Sequence, residues 1–288
     1  MFAFLHGRES QWPADELARR TRGLGMTPEE HDKKWEKVTY QAGLDSMEKM
    51  IAKTKEEGNI ALIKEHSAHL FDAQFLSSGL GVPSFEAPRP ALVDHRFDVV
   101  DSKEAEVKLP IPNPTLLPDR ILASSLPVIM IRHPVFTYPS YERAASVYTT
   151  TVFDLEFTVM TSYKWSRIMY DFYRSYYEKT DPEGKMKDWP IVVDGDRLVE
   201  DTKGQMKKFC DIARLDESDI QYSWEVAGLG TDEKALISFL RTIKESTGVI
   251  KGPVKKWTEE WDEKVAQRMK EAVESAMDDY NYLLARCI

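Results

Sequence analysis

Cysteine is scarce in this sequence, and long apolar runs are missing from it. Only Cys210 and Cys287 occur among the 288 residues, far apart and without the spacing of metal ligands. They predict a reducing compartment, with no disulfide framework and no zinc site. No stretch of about eighteen apolar residues occurs, and the apolar run at residues 1–5 is too short for the core of a signal peptide. We therefore expect a cytoplasmic protein that does not span a membrane.

Positive charge is also in short supply. Against 39 Lys and Arg residues stand 48 Asp and Glu residues, which gives a net charge of −9 at pH 7. Such a surface repels nucleic acid and acidic lipid, so neither is an expected partner, and any anionic ligand needs a local basic site. The length and the aromatic content of 11% argue against disorder. We interpret residues 1–288 as a single domain.

Short apolar runs and helical patterns alternate along the chain. Three runs predict buried strands of a parallel sheet, at residues 60–63, 127–131 and 190–193. Helical patterns lie around them, at residues 14–58, 138–177 (two helices), 202–213 and 256–285. Thr27 before Pro28 predicts a helix N-cap. Strands that alternate with helices predict an α/β fold with a parallel sheet flanked by helices.

A proline-rich stretch separates the first run from the second. Seven prolines lie between residues 83 and 118, where helical periodicity is weak. A loop of this length in a compact domain is usually functional or disordered. Because apolar residues are interspersed with the prolines, we interpret residues 81–120 as an ordered excursion or lid of the domain rather than as a linker.

The strongest group of candidate binding residues follows the run at residues 127–131. Arg132 comes directly after it, and Ser140 lies in the next helical pattern. Ligands of open α/β sheets collect at the carboxyl ends of strands, where an Arg offers a planar fork to phosphate and a Ser near a helix N-terminus adds a hydroxyl. The pattern predicts a phosphate clamp. The alternative is that Arg132 only ends a strand and Ser140 only caps a helix.

A second group follows the run at residues 60–63. Lys64 and His66 stand at the end of that predicted strand. An imidazole can take the proton of an attacking alcohol or phenol, and a cation can neutralise charge on a leaving phosphate. The alternative is a surface or packed His66 beside a solvated Lys64–Glu65 pair. We do not expect His66 and His69 to bind a metal.

These two groups resemble motifs of the sulfotransferases that use 3′-phosphoadenosine 5′-phosphosulfate (PAPS). The eight-residue separation of Arg132 and Ser140 is similar to the family's 3′-phosphate motif, and Lys64-Glu65-His66 is similar to its Lys-x-His sequence. The resemblance implies a P-loop NTPase-like fold and PAPS as the donor. It also implies that Arg132 and Ser140 bind the 3′-phosphate, that His66 is the general base and that Lys64 stabilises the transferring group.

The resemblance continues through the C-terminal half. Residues 190–213 are similar to the family's scaffold, and the basic glycine loop at 248–253 implies a 3′-phosphate contact for Lys251. The alternative for Lys251 is a solvated Lys in a turn. The aromatic C-terminal helix is similar to that of divergent relatives in microbial secondary metabolism. A small-molecule hydroxyl is the implied acceptor, and no metal is implied. We expect the proline-rich stretch and residues 163–177 to line the acceptor pocket, although the latter could instead be a core aromatic stripe.

One part of the family's pattern is missing from the 288 residues. Its members open with a strand, a phosphosulfate loop and a helix, whereas neither this unit nor a G-x-x-x-x-G-K-[ST] motif occurs here. Residues 2–10 come nearest to this phosphosulfate loop, but they would place the negatively charged Glu9 where the loop binds an anion. We therefore interpret the chain as N-terminally truncated relative to the family, either in the assigned start or in the protein itself. The alternative to an enzyme is a non-catalytic accessory or binding protein of the same fold.

Overall fold

The computed structural model describes residues 14–82, 89–95, 107–228, 230, 234–250 and 257–288. The chain divides into two compact units, Met1–Ser125 and Leu126–Ile288. Helices dominate both units, and the named strands of the described residues form one two-stranded parallel sheet. A helix-rich α/β architecture with parallel strands is therefore confirmed. The interpretation of residues 1–288 as a single domain stays a prediction.

Side-chain caps begin several helices of the first unit. Its helices are α1 (Ala14–Gly23), α2 (Pro28–Trp35), α3 (Tyr40–Glu56), α4 (Ala73–Leu80) and α5 (Asp119–Ser124), with a 3₁₀ turn at Ser67–Leu70. Thr27 Oγ1 accepts a hydrogen bond from the Glu30 N–H at 3.2 Å, and Glu30 Oε2 accepts one from the Thr27 N–H at 2.8 Å. This capping box satisfies two backbone donors at the start of α2. The predicted N-cap is confirmed.

The run at residues 60–63 does not form the predicted buried strand. It belongs to a segment without regular secondary structure, and Ile60 and Leu62 are 78% and 89% exposed. No strand within the described ranges pairs with this run. A strand is stabilised by side-chain contacts with the strand beside it. An apolar run with no strand beside it lacks that stabilisation. The prediction was wrong because apolar continuity carries no information about whether a partner strand is present.

Side chains of α3 and α5 hold the described part of the proline-rich stretch in place. Gln41 Oε1 accepts from the Val93 N–H at 2.8 Å, and Gln41 Nε2 donates to the Val93 carbonyl at 2.9 Å, which imitates a backbone pair. Arg120 Nη2 donates to Asp94 at 2.9 Å and to the buried Glu48 at 2.5 Å. These contacts give the described part of the stretch a defined position within the first unit.

The second unit is built around two strands. β1 (Val128–Ile131) and β2 (Ile191–Asp194) run parallel, with Val128 opposite Ile191 and Ile131 opposite Asp194. The helices are α6 (Pro134–Ala145), α7 (Leu155–Thr161), α8 (Lys164–Thr180), α9 (Gly195–Glu200), α10 (Thr202–Ala213), α11 (Lys234–Glu245), α12 (Trp257–Glu260) and α13 (Glu263–Leu284), with 3₁₀ turns at Ser146–Tyr148 and Glu217–Asp219. Both predicted strands are confirmed, but three helices rather than two lie between them.

Among the described residues, β2 has backbone partners on both sides, whereas β1 pairs with β2 only. All four residues of β2 are buried, whereas Val128 and Met130 of β1 are exposed. On the side of β2 away from β1, the Ile288 N–H donates to the Val192 carbonyl at 3.1 Å. The full burial that we predicted therefore holds for β2 only. The core around the strands is shared with α6, α7 and α13 and includes Ile129, Ile131, Tyr138, Phe157, Val192, Met269, Val273 and Leu283.

Glu142, on α6, is a buried carboxyl of the second unit. It is only 6% exposed, and its Oε2 has no hydrogen-bond partner among the described residues. Burial, reinforced by the Asp154 carboxylate, raises the pKa of Glu142 from 4.5 to about 7, although a backbone hydrogen bond with Val152 opposes the shift. Between these two pH values the native state retains a proton that the unfolded chain releases.

We predict that Glu142→Gln stabilises the protein at pH 8. Because the folded pKa is the higher one, the wild-type free energy of unfolding falls as pH rises from about 4.5 to about 7, by roughly 3 kcal/mol at most. The variant should lose this fall, which urea unfolding at pH 5 and pH 8 measures. Glu178→Gln, at a side chain that is 67% exposed, is the control. A pH dependence that Glu142→Gln shares with wild type would contradict the prediction.

Candidate active site

The carboxyl ends of β1 and β2 bring Arg132 and Asp196 together. Arg132 directly follows β1, and Asp196 is the second residue after β2. The Asp196 carboxylate accepts two hydrogen bonds, at Oδ1 from Arg132 Nε (2.9 Å) and at Oδ2 from the His133 backbone N–H (2.8 Å). The predicted phosphate-binding arginine therefore lies at the sheet edge where ligands of α/β proteins collect, and an acidic side chain holds it there.

Further contacts restrict the segment that follows β1. Tyr163 donates through its hydroxyl to the Arg132 carbonyl, and His133 Nδ1 accepts from the Val135 N–H at 3.2 Å at the start of α6. The Arg132 guanidinium carbon lies 5.5 Å from the centre of the Phe136 ring. The Arg132 side chain is 39% exposed, so an anion from solvent can reach it.

Ser140 lies on α6, but not at the N-terminus of that helix. The helix begins at Pro134, and the exposed Ser140 is its seventh residue, about 9 Å along the axis from the first. The N-terminal N–H groups of α6 and the Ser140 hydroxyl therefore do not form the compact donor set that we predicted. The predicted position of Ser140 near the helix N-terminus was wrong, because the eight-residue spacing between Arg132 and Ser140 does not determine where the intervening helix starts. The role of Ser140 in phosphate binding stays a prediction.

In the first unit, Lys64 and His66 contact each other. Lys64 Nζ lies 2.7 Å from His66 Nε2, and both residues are exposed. An ammonium group can only donate, so Nε2 accepts, and the imidazole is neutral with its proton on Nδ1. The structure thus brings together the predicted base and the predicted cation. The cation engages the lone pair that a general base would use.

Glu65 and His69 both contact His66. Glu65 Oε1 lies 2.7 Å from His69 Nδ1 and accepts from the His66 backbone N–H, also at 2.7 Å. The rings of His66 and His69 meet edge to face, with their centres 5.3 Å apart. His69 is 7% exposed. Sequence reasoning considered His69 only as a metal ligand, although its i,i+4 spacing from Glu65 is the signal for the contact that the structure contains.

The environment of His66 disfavours the imidazolium. Desolvation is the largest cause, followed by the charges of Lys64 and His69, and the pKa of His66 falls to about 4 although the Glu65 carboxylate opposes the shift. Desolvation also lowers the pKa of Lys64 from its ordinary value. His66 is therefore unprotonated at neutral pH, which is the state that a general base requires.

The aromatic helix that we expected at the acceptor pocket is part of the core. Trp165, Phe172, Tyr173 and Tyr177 of α8 are all buried, and the rings of Phe172 and Tyr173 meet edge to face, with centres 5.1 Å apart. A helical stripe of large aromatics that packs in this way stabilises the unit. The alternative interpretation, a core aromatic stripe, therefore describes this helix.

The proline-rich stretch borders a cavity of about 900 Å³ within the first unit. Four polar side chains of its wall form two pairs, since Asn113 donates to Asp119 at 2.8 Å and Arg120 donates to Asp94 at 2.9 Å. The exposed Lys108 is also part of the wall. Apolar residues make up much of the remaining wall, including Val107, Leu109, Pro110, Ile111, Pro112 and Pro118.

Several predicted features lie outside the described residues. They are Lys251, the stand-in loop at residues 2–10, and Pro83 and Pro88 of the proline-rich stretch, and their roles stay predictions. Within the described ranges, no three His, Cys, Asp or Glu side chains are arranged to hold a metal ion. None of the helices described here combines the length and the apolar character needed to cross a membrane.

Two sulfotransferases are similar to this helix-rich α/β chain. Sulfotransferase ppzF of Metarhizium majus is 26% identical over 295 residues, which cover 96% of this chain and 79% of that protein. Sulfotransferase ppzF of Metarhizium rileyi is 25% identical over 268 residues, which cover 87% and 76%. No protein-family model matches the chain, and no solved structure matches it. The two relatives support a sulfotransferase family.

We predict that Lys64→Met raises the pKa of His66. Removal of the ammonium charge eliminates the second cause of the shift while desolvation remains, so the midpoint should rise from about 4 but stay below 6.5. Titration of ring resonances in histidine-labelled protein measures the change, with His66→Gln for assignment. Lys53→Met, on the exposed face of α3, is the matched control. An unchanged midpoint in Lys64→Met would show that the two side chains do not interact in solution.

Proposed function

We propose that the chain is a PAPS-dependent sulfotransferase that transfers a sulfuryl group to a hydroxyl of a small molecule. The observation that carries the proposal is the similarity to two sulfotransferases along most of the chain. A P-loop NTPase-like fold and a role in secondary metabolism belong to the same proposal. The resemblance of the Arg132–Ser140 and Lys64–His66 motifs to those of the family also supports it.

In the proposed reaction, the acceptor oxygen attacks the sulfur of PAPS in line with the bond to the 5′-phosphate. A new O–S bond forms, the S–O bond to the phosphate breaks, and adenosine 3′,5′-bisphosphate leaves. The acceptor proton passes to His66 Nε2. Lys64 must first release that nitrogen, and its ammonium can then neutralise charge on the transferring group. Because Nζ and Nε2 are 2.7 Å apart, movement of the Lys64 side chain alone would free Nε2 for the proton.

The 3′-phosphate of the donor is assigned to Arg132, Ser140 and Lys251. A guanidinium binds a phosphate through a planar fork of N–H donors, and the exposed side chain of Arg132 offers such a fork at the end of β1. Ser140, which is exposed on α6 beyond the first turn of that helix, is included because its spacing from Arg132 resembles the family's motif. Lys251 is included on the resemblance alone.

The cavity beside the proline-rich stretch is assigned to the acceptor. Pro110, Ile111, Pro112 and Pro118 supply apolar surface, and the exposed Lys108 lies in the same wall beside the paired polar side chains. A wall of this mixed character suits a ligand that has both apolar and polar groups. We therefore propose a small molecule that bears a hydroxyl as the acceptor class.

A non-catalytic binding protein of the same fold is the second candidate. This candidate is supported by two contacts in the structure, Lys64 with His66 and Arg132 with Asp196, which occupy the side chains that would act on a substrate. Such a protein would bind adenosine 3′,5′-bisphosphate but transfer nothing. Binding and turnover measured on the same preparation therefore separate the two candidates.

We predict that His66→Ala lowers sulfuryl transfer by about 10²–10⁴-fold, because the acceptor proton loses its base. Transfer from sulfur-labelled PAPS to a panel of phenols and alcohols measures the loss. Binding of adenosine 3′,5′-bisphosphate should persist in the variant, and added imidazole should restore part of the activity. Lys53→Ala is the surface control and should match wild type.

Two outcomes would contradict the prediction in different ways. Transfer by His66→Ala at the wild-type rate would remove His66 from the reaction while leaving the enzyme assignment in place. A wild-type chain that binds adenosine 3′,5′-bisphosphate but gives no product with any acceptor would favour the non-catalytic candidate.

A further inference from the structure

The ends of β1 and β2 approach each other closely at Gly195. A Cβ on this residue would lie 3.2 Å from the Ile131 carbonyl oxygen and 3.7 Å from the Arg132 Cβ. A larger residue at position 195 would therefore force the two strand ends apart. Because Gly195 permits the close approach, the next residue, Asp196, comes within hydrogen-bond distance of the chain that follows β1.

Asp196 holds Arg132 from one side only. Its Oδ1 accepts from Arg132 Nε at 2.9 Å, while its Oδ2 is used by the His133 backbone N–H at 2.8 Å. The Asp196 backbone is itself fixed, since its N–H donates to Asp194 Oδ1 at 3.0 Å. Within the described residues, the two Nη groups of Arg132 make no hydrogen bond. The Nη edge is thus the part of the guanidinium left for a ligand.

Other contacts reduce the freedom of Arg132 further. The hydroxyl of Tyr163 holds its carbonyl, and the ring of Phe136 lies 5.5 Å from its guanidinium carbon. Asp196 supplies the hydrogen bond that fixes the end of the side chain. A guanidinium held in this way loses less conformational entropy when it binds an anion than a freely rotating one does.

We propose that Asp196 is a positioning residue, which orients Arg132 so that its Nη edge receives the phosphate group of a nucleotide. The inference rests on the proposed function, because it takes the 3′-phosphate of the donor as the ligand of Arg132. Asp196 does not contact the phosphate. It acts through Nε of Arg132 and through the backbone of His133.

A purely electrostatic role of Asp196 would have the opposite sign. Its carboxylate places a negative charge beside an anion site, so its neutralisation would by itself strengthen phosphate binding. Loss of a positioning contact weakens binding instead, because the released Arg132 side chain must be ordered again by the ligand. The sign of the change in affinity therefore distinguishes the two roles.

Calorimetry with two nucleotides tests the proposal. Adenosine 3′,5′-bisphosphate carries the 3′-phosphate, and adenosine 5′-monophosphate does not. For Asp196→Asn we expect the bisphosphate to bind about tenfold more weakly, the size of one hydrogen bond to a charged group, and the monophosphate to bind nearly as in wild type. Unchanged or tighter bisphosphate binding by the folded variant would overturn the positioning role.

A double-mutant cycle and a control complete the test. Lysine lacks the Nε–Nη fork, so in an Arg132→Lys background Asp196→Asn should cause no further loss, whereas an additional tenfold loss would overturn the proposal. Asp196→Ser keeps an acceptor for the His133 N–H and removes the contact with Arg132. It should show the same weakening, and it replaces Asp196→Asn if that variant does not fold. Asp211→Asn changes the net charge equally at an exposed side chain paired with Lys207 and should bind as wild type does.

Two outcomes distinguish the role of Asp196 from the binding of the nucleotide itself. A folded wild-type chain that does not bind the bisphosphate would overturn both. Binding that Arg132→Lys weakens and Asp196→Asn does not would leave the 3′-phosphate assignment in place and remove only the role of Asp196.

Discussion

The parallel pairing of β1 with β2 is the contact on which the second unit depends. It buries β2 between β1 and the C-terminal residues, and α13 packs against both strands. The same pairing brings Arg132 and Asp196, 64 positions apart in the sequence, within 2.9 Å. The candidate phosphate site therefore comes from the sheet, and it cannot persist if the register of the two strands changes.

The basic groups of the two units are held by different means. Arg132 depends on a long-range partner that the sheet supplies, whereas Lys64, Glu65, His66 and His69 interact within six consecutive residues. In both places a carboxylate accepts hydrogen bonds from a side chain and from a backbone N–H.

Sequence patterns predicted the elements whose apolar residues have neighbours in the fold, and they failed where that condition was not met. The strands at 128–131 and 191–194 and the capped start of α2 were predicted correctly. Residues 60–63 have the same apolar character, but no partner strand among the described residues. Arg132 could be predicted from its place after a strand. Asp196 could not be predicted as its partner, because the contact depends on a strand register that spacing along the chain does not reveal.

Hydrogen–deuterium exchange of the whole chain can show whether a nucleotide 3′-phosphate binds where β1 and β2 end. With saturating adenosine 3′,5′-bisphosphate, we expect slower exchange in peptides that cover residues 131–141 and 194–200. Adenosine 5′-monophosphate should give much weaker protection there. Saturation with the bisphosphate that leaves both peptides unchanged, while others are protected, would show that the 3′-phosphate binds elsewhere.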